Sequence, residues 1–343
     1  MMAEKLRVAV AGTGYFSQFH YDAWQRCPEV EIVGIADRNG EAAQSKAHEL
    51  GTVSFDDTAT MLDAVKPDAL DIITPPPTHF ELIEQASSRG ITAICQKPFC
   101  GTLDIAERAV ERVARKGTQI IVHENFRFMP WFGAIKSALD EDRLGRLFQI
   151  TFRLRPGDGQ GPQAYLERQP YFQTMERFLV HETAIHYVDV FRYLAGEVTD
   201  VSARLDKLNP VIAGEDACLI TMGFEGGARG LIDGNRLSDH RADNRRRTMG
   251  EMLVEGEKGV LELDGEANLT FRAHGSNTIE PIAYDWNDHG FGADCVYRFT
   301  RHVVDHLLNG LAVQNTGADY LSNLRIEEAI YRSHQTGRVV ALD

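Results

Sequence analysis

The sequence predicts two domains: an N-terminal doubly wound α/β domain built on a parallel sheet, and a C-terminal α+β domain with a large, open, mostly antiparallel sheet and flanking helices. Three observations predict this. Strand-like and helix-like segments alternate through the first third of the 343 residues, the pattern of βαβ units. A glycine turn, Gly12-Thr13-Gly14, lies between the first such strand and the first such helix. From residue 198 onward, strands follow one another without intervening helices, which calls for antiparallel pairing. The boundary is expected between residues 124 and 125, with the last helices of 125–343 free to pack back on 1–124.

In order, β-prone runs fall at Arg7–Ala11, Glu31–Ala36, Ala69–Thr74, Thr92–Cys95 and Gln119–Val122. The run Leu70-Asp71-Ile72-Ile73 suits a strand covered on both faces. Helical spacing occupies Phe16–Arg26, Glu41–Leu50, Thr58–Val65, His79–Ser88 and Ile105–Lys116. After Val122 come a helix at Pro130–Glu141, a strand at Leu147–Arg155, a Gly-rich loop from Pro156 to Pro162 and a helix from about Val180 to Leu194. Strands are then expected at Val198–Leu205, Asp216–Phe224, Arg229–Asn235, Glu251–Glu255, Val260–Asp264 and Ala267–Arg272. Helices at Val296–Leu308 and Asp319–Thr336 and a short Val339–Leu342 tail close the chain.

Lys and Arg number 36 against 50 Asp and Glu, a net charge of −14. So acidic a chain has no excess of cations to neutralise phosphates, and nucleic acid is not an expected partner. The cluster Arg245-Arg246-Arg247 sits among Asp239, Asp243 and Glu251 and reads as a solvated loop. The five cysteines show long spacings and no Cys-x-x-Cys, neither a disulfide framework nor a zinc ribbon. Reduced thiols and a cytoplasmic location are expected. Met1 to Arg7 carries no signal-peptide pattern. The run Val8–Ala11 is far short of the roughly 20 residues that span a bilayer, so no membrane association is expected.

Five motifs carry chemistry. Gly12 allows a tight turn after the first strand, and Gly14 lets the backbone approach a pyrophosphate. The following helix then offers free N–H groups to that anion. Ser17 stands where a third glycine would, and is small enough for close packing. Asp37 follows the second strand, 23 residues after Gly14, near the offset at which an acid binds ribose hydroxyls and repels a 2′-phosphate. That favours NAD over NADP, while the neighbouring Arg38 could stack on adenine or grip a phosphate. Thr74-Pro75-Pro76-Pro77-Thr78-His79 ends the fourth strand, where a doubly wound sheet binds ligand. Lys97, in Cys95-Gln96-Lys97-Pro98, follows the fifth strand and is placed to hydrogen-bond a substrate hydroxyl.

The fifth motif is His181-Glu182-Thr183-Ala184-Ile185-His186-Tyr187-Val188-Asp189. On an α-helix, Glu182, His186 and Asp189 fall within roughly 60° of one another, one polar stripe on an apolar helix. His181 and His186 are about 140° apart and cannot form a His-Glu-x-x-His zinc pair; no metal is expected. A carboxylate beside an imidazole can instead orient a general base.

Taken together, these motifs resemble the Gfo/Idh/MocA family of nicotinamide-dependent sugar oxidoreductases over nearly the whole chain. The family's glycine turn is matched by Gly12 and Gly14, and its acid by Asp37. Its Thr-Pro…His is matched by Thr74, Pro75 and His79, and its Glu-Lys-Pro by Gln96-Lys97-Pro98. Its Asn-x-Arg-x-x-Pro is matched by Asn125 through Pro130, and its Asp-x-Gly-x-His-x-x-Asp by Glu182 through Asp189. Ile326 through Gly337 resembles the family's closing helix. Gln96 replaces a Glu, Glu182 an Asp and Ala184 a Gly. Arg168–Phe172 together with Val180–Thr183 is most similar to the family's bacterial pentose dehydrogenases.

The resemblance implies an NAD-dependent dehydrogenase acting on a sugar or polyol hydroxyl: an aldose, a pentose such as apiose, or an inositol-like substrate. It implies cofactor contacts from Gly12, Gly14, Tyr15, Phe16, Asp37, Arg38, Pro76, His79, Gln96, Lys97 and Asn125. Lys97, His186 and Glu182 would be catalytic, and Arg127 and Asp189 would join them in binding substrate. Lys97 and His186 could exchange the acid and base roles. An NAD-using glycosidase and a non-catalytic NAD- or sugar-binding regulator are the alternatives. The strands carrying Leu219, Met222, Leu231 and Ile232 are more apolar than a solvated sheet face tolerates. A homodimer or homotetramer through the C-terminal sheet is therefore expected.

Overall fold

A computed structural model describes residues 5–342. Residues 1–4, part of the Met1–Arg7 segment expected to carry no signal peptide, and residue 343 lie outside the described residues. The chain forms two compact units. One contains the residues up to Asn125 together with Cys295–Ser322; the other contains Phe126–Asp294 and the residues from Asn323 onward.

The first unit runs β1 (Leu6–Ala11), α1 (Ser17–Gln25), β2 (Val30–Ala36), α2 (Gly40–Leu50), β3 (Ser54–Phe55), α3 (Thr58–Val65), β4 (Ala69–Ile72), α4 (His79–Ser87), β5 (Thr92–Gln96), α5 (Leu103–Arg115) and β6 (Ile120–His123). Its six strands are parallel in the order β3-β2-β1-β4-β5-β6. The order reverses between β1 and β4, and beyond the carboxyl ends of these strands lies the crevice in which such sheets bind ligands. Every residue of β4 is buried, as a strand covered on both faces requires. Three helices start at side chains that accept an orphan backbone N–H: Asn39 for α2, Asp57 for α3 and Thr102 for α5. The two-residue β3 is too short to leave a periodic signal in the sequence.

The second unit contains α6 (Pro130–Asp140), β7 (Leu147–Leu154), α7 (Ile185–Ala195), β8 (Val198–Asp206), β9 (Ala217–Phe224), β10 (Arg229–Asn235), β11 (Gly250–Gly256), β12 (Gly259–Leu263), β13 (Leu269–Ala273) and β14 (Glu280–Pro281). Then α8 (Cys295–Asn309) belongs to the first unit and packs on α1. Helix α9 (Gly317–Thr336) precedes the last strand, β15 (Val340–Ala341). The nine strands lie in the order β14-β13-β12-β11-β7-β10-β9-β8-β15. Neighbours are antiparallel except β7 with β10.

One face of this sheet is sealed by α7. The Tyr187 ring stacks on Phe152 of β7 at 3.9 Å between centroids. A Cβ at Gly230 would lie 2.8 Å from the Phe191 ring, so the glycine lets the helix settle. Strand alternation corrects the apolar-face expectation. Met222 and Ile232 point to the sealed face and are buried, while Leu219 and Leu231 point outward. The outward face carries a cross-strand row of Ser202, Thr221, Leu231, Thr151, Leu253 and Glu262, uncharged but for its last member. All five cysteines are buried and unbridged. Among the described residues no helix is long and apolar enough to cross a membrane.

Candidate active site

The turn after β1 is set by packing. Gly12 has φ +114°, and a Cβ there would sit 2.8 Å from the Ile73 carbonyl oxygen, so only glycine fits. Tyr21 on α1 donates its hydroxyl to the Gly12 carbonyl at 2.9 Å. Ser17 donates to the Gly14 carbonyl at 2.7 Å and closes the turn into the helix. Gly14 itself is different. A Cβ there would meet nothing within 4 Å, and its φ is not positive. Neither packing nor backbone strain within the chain calls for glycine at that position. An approaching ligand would, and this fits a dinucleotide pyrophosphate held at the α1 N-terminus.

Asp37 stands at the end of β2. Its Oδ2 accepts from the Thr13 amide and hydroxyl, both at 2.8 Å, and its Oδ1 from the Asn39 amide at 2.8 Å. The carboxylate thus ties the glycine turn to β2, and its spare lone pairs can still accept ribose hydroxyls. Arg38 and Tyr15 are exposed. Phe16 precedes α1 at its N-cap position, with its ring against Phe19 and His20.

After β4, Pro76 opens a short 3₁₀ turn, Pro76–Thr78. His79 is buried and donates from Nε2 to the Thr74 carbonyl at 2.7 Å. Burial holds its imidazole below the ordinary value, against the pull of the Thr74 and Pro98 carbonyls. His79 therefore braces the proline loop from behind. Lys97 follows β5, half-buried, and its backbone N–H donates to the Gln96 side chain at 2.7 Å. Asn125 is buried, with Nδ2 3.1 Å from Cys295 Sγ.

In the second unit the polar stripe takes a different form. Leu179–Ala184 is π-helical, and the α-helix begins only at Ile185. Such turns recur at functional sites, and α-helical angles do not extend across this one to Glu182. At its start, Glu215 Oε1 accepts the amides of Phe178 and Val180 at 3.1 and 3.0 Å. Glu182 Oε2 accepts from the Thr183 hydroxyl at 2.5 Å and lies 3.7 Å from Arg236. Arg236 is itself buried. It donates to Thr183 at 2.8 Å and forks onto both oxygens of Asp158. The rings of Phe178 and Tyr165 lie within 4.8 and 5.0 Å of its guanidinium. Burial opposes the Asp158 charge, yet Arg236 holds that carboxyl below its usual range.

His186 is buried and stacks flat on Phe126, with ring centroids 3.7 Å apart and planes 3° from parallel. The next residue, Arg127, grips the same helix through Asp189: Nε donates to Oδ2 at 2.8 Å and Nη2 to Oδ1 at 2.6 Å. Asn323 adds a third bond to Asp189 Oδ1, at 2.8 Å. The turn at 126–128 thus holds α7 at two points and fixes the imidazole plane between them. Sequence reasoning missed Phe126, Arg236 and Asp158. It also missed the buried pair His20 and Asp71, although a lone Asp in the wholly apolar run of β4 is the signal that could have found it.

Residues 6–124 match the family model for the Gfo/Idh/MocA oxidoreductase family, NAD-binding Rossmann fold. Residues 136–342 match the model for that family's C-terminal alpha/beta domain. The chain belongs to the Gfo/Idh/MocA oxidoreductase family. It is 33% identical to D-apiose dehydrogenase of Paraburkholderia graminis over 99% of this chain and 90% of that one. It is 28% identical to D-apiose dehydrogenase of Rhizobium rhizogenes over 99% of this chain and 98% of that one. An oxidoreductase from Agrobacterium radiobacter, solved in complex with NAD+, L-tartaric acid and magnesium, superposes with TM-score 0.89. Its identity is 27%, over 98% of both chains.

Proposed function

We propose that the protein is an NAD-dependent dehydrogenase of a sugar or polyol hydroxyl, with a branched or small aldose of the apiose type as the first substrate to try. The observation that carries this reading is Gly14: a glycine that nothing within the chain requires, on the turn at the sheet's switch point, in a member of an NAD-binding oxidoreductase family. Gly12, Gly14 and Asp37 would hold the dinucleotide, with Tyr15, Phe16, Arg38 and the Pro76 loop around it. Bound NAD supplies the hydride acceptor. His186, held flat by Phe126, takes the hydroxyl proton as general base. Lys97 donates to the oxygen as it becomes an alkoxide, stabilising charge where it grows. Glu182, held by Thr183 and Arg236, would act on the electrostatics of the site as a carboxylate one turn before His186. Arg127 and Asp189, already engaged with each other, act by positioning His186 rather than by gripping the sugar.

The outward sheet face supports self-assembly. Its central row of Ser, Thr and Leu has no charge until Glu262, and we propose a homodimer or a dimer of dimers through it, in the cytoplasm. A screen of aldoses and polyols with NAD, followed at the NADH absorbance, tests the main reading. A sugar or polyol that reduces NAD supports it. No NADH from any of them, or release of free sugar from a glycoside without net NADH, overturns it.

A further inference from the structure

A buried chain of hydrogen bonds runs through the first unit and ends on the backbone of Lys97. Its directions can be read atom by atom. The Lys97 backbone N–H can only donate, so the Gln96 atom 2.7 Å away is the amide oxygen. The other end of that amide is then Nε2, which can only donate, and it lies 2.9 Å from His20 Nε2. That ring nitrogen must therefore be bare, and the hydrogen sits on Nδ1, 2.9 Å from Asp71 Oδ2. Trp24 Nε1 donates to the same oxygen at 2.7 Å. Every link points one way, from Lys97 through Gln96 and His20 to Asp71.

The members come from three elements that meet at the switch point: His20 and Trp24 on α1, Asp71 on β4, Gln96 at the end of β5. His20 and Asp71 are wholly buried, and Gln96 and Trp24 nearly so. The His20 ring is clamped by His123, centroids 4.0 Å apart, and by the edge of Phe16. Asp71 Oδ1 has no hydrogen-bond partner among the described residues. A buried carboxylate with one oxygen unpaired within the chain is a poor way to gain stability, since an apolar residue would fill that space at lower cost. What the chain does provide is direction: it fixes the rotamer of Gln96, and through it the peptide from which the Lys97 side chain departs.

We propose that Gln96, His20 and Asp71 are positioning residues for Lys97, and that the device works with a neutral His20 imidazole protonated on Nδ1. A Glu at position 96 would have no hydrogen to give His20, so the tautomer is set by the amide that this chain carries there. The proposal rests on Lys97 being the cation that acts on the substrate oxygen, but its first test does not. Nitrogen NMR of the 15N-histidine-labelled full chain, with His20 assigned by its loss in His20→Asn, is expected to show Nδ1 protonated and Nε2 bare. A hydrogen on Nε2 would overturn it.

The second test is Gln96→Leu, which removes both contacts at similar volume. We expect faster exchange of the Lys97 amide and a kcat lowered about tenfold, as for a small misplacement of a reacting group, a larger change than any in KM for NAD. Gln96→Glu restores the acceptor for the Lys97 amide but has no hydrogen for His20, so it should restore slow Lys97 amide exchange and recover only part of the lost kcat. Unchanged kcat and unchanged Lys97 exchange in Gln96→Leu would overturn the proposal. If Gln96→Leu does not fold, the tautomer in the unmutated chain and the Gln96→Glu variant still decide. Full activity in Lys97→Ala would instead remove the catalytic reading, leaving the NMR result to report on the chain of bonds alone.

Discussion

Gly12 and Gly14 stand two residues apart in one turn and should answer the same substitution in opposite ways. At Gly12 an alanine meets φ +114° and a carbonyl oxygen 2.8 Å from its Cβ. Strain at such a backbone costs about 1–3 kcal/mol, and the contact forces the Ile73 backbone, just past β4, to yield. A loss of about 2–4 kcal/mol is expected, which lowers the melting temperature by roughly 5–15 °C at this unit size. At Gly14 an alanine meets nothing within 4 Å. Folding should be untouched, or slightly favoured because the unfolded chain loses freedom. Cofactor affinity should fall instead. A backbone pushed back from an anion loses a charge-assisted hydrogen bond of about 1.5–3 kcal/mol, or about 10- to 150-fold in Kd. Calorimetric melting without NAD and titration with NAD separate the two effects. A Gly14→Ala protein that binds NAD as tightly as the unmutated chain would refute the reasoning, as would one that melts below Gly12→Ala.

Asp37→Ala should weaken NAD about tenfold and narrow the preference for NAD over NADP, because the ribose contact and the repulsion of a 2′-phosphate are lost together; the two dissociation constants check it, and a native preference for NADP would contradict the assignment. His79 links stability to pH. Its folded value is depressed, so the unfolded state binds the proton more readily and stability falls as pH drops through the ordinary histidine value of about 6.5; His79→Gln should flatten that part of a stability–pH curve measured with urea. Arg127→Ala leaves Asp189 buried without its fork, and breaking such a pair costs about 3–5 kcal/mol. The same variant should lower kcat more than KM if α7 is held for the sake of His186; Arg127→Lys, which cannot fork, should restore only part of both.

The fold was largely legible because its signals are local and repeated. The periods of α1 to α5 and β7 to β13 survive in the sequence, and the glycine turn with Asp37 marks the switch point from covalent spacing alone. What stayed hidden depends on contacts between residues far apart in the chain. Arg127 and Asp189 carry the right chemistry for a sugar site, yet their side chains meet and occupy one another. The π-helical start of α7 is written partly at Glu215, more than thirty residues beyond the amides it accepts. Met222 and Leu219 are equally apolar, and only the pleat assigns one inward and the other outward. His20, Asp71 and Gln96 form one network although 76 residues separate its ends.

The central claim is that Lys97 and His186 act on a sugar hydroxyl, His186 taking its proton and Lys97 stabilising its oxygen, while the carbon that bears it passes a hydride to NAD. Its most direct test is single-turnover NADH formation on the best substrate from the screen, with the unmutated protein, Lys97→Ala and His186→Ala side by side at saturating NAD. Each variant should slow the burst by about 10²–10⁴-fold, the range for a positioned acid or base, while its NAD dissociation constant stays within a few-fold of the unmutated value. A variant that forms NADH at nearly the unmutated rate would contradict the account.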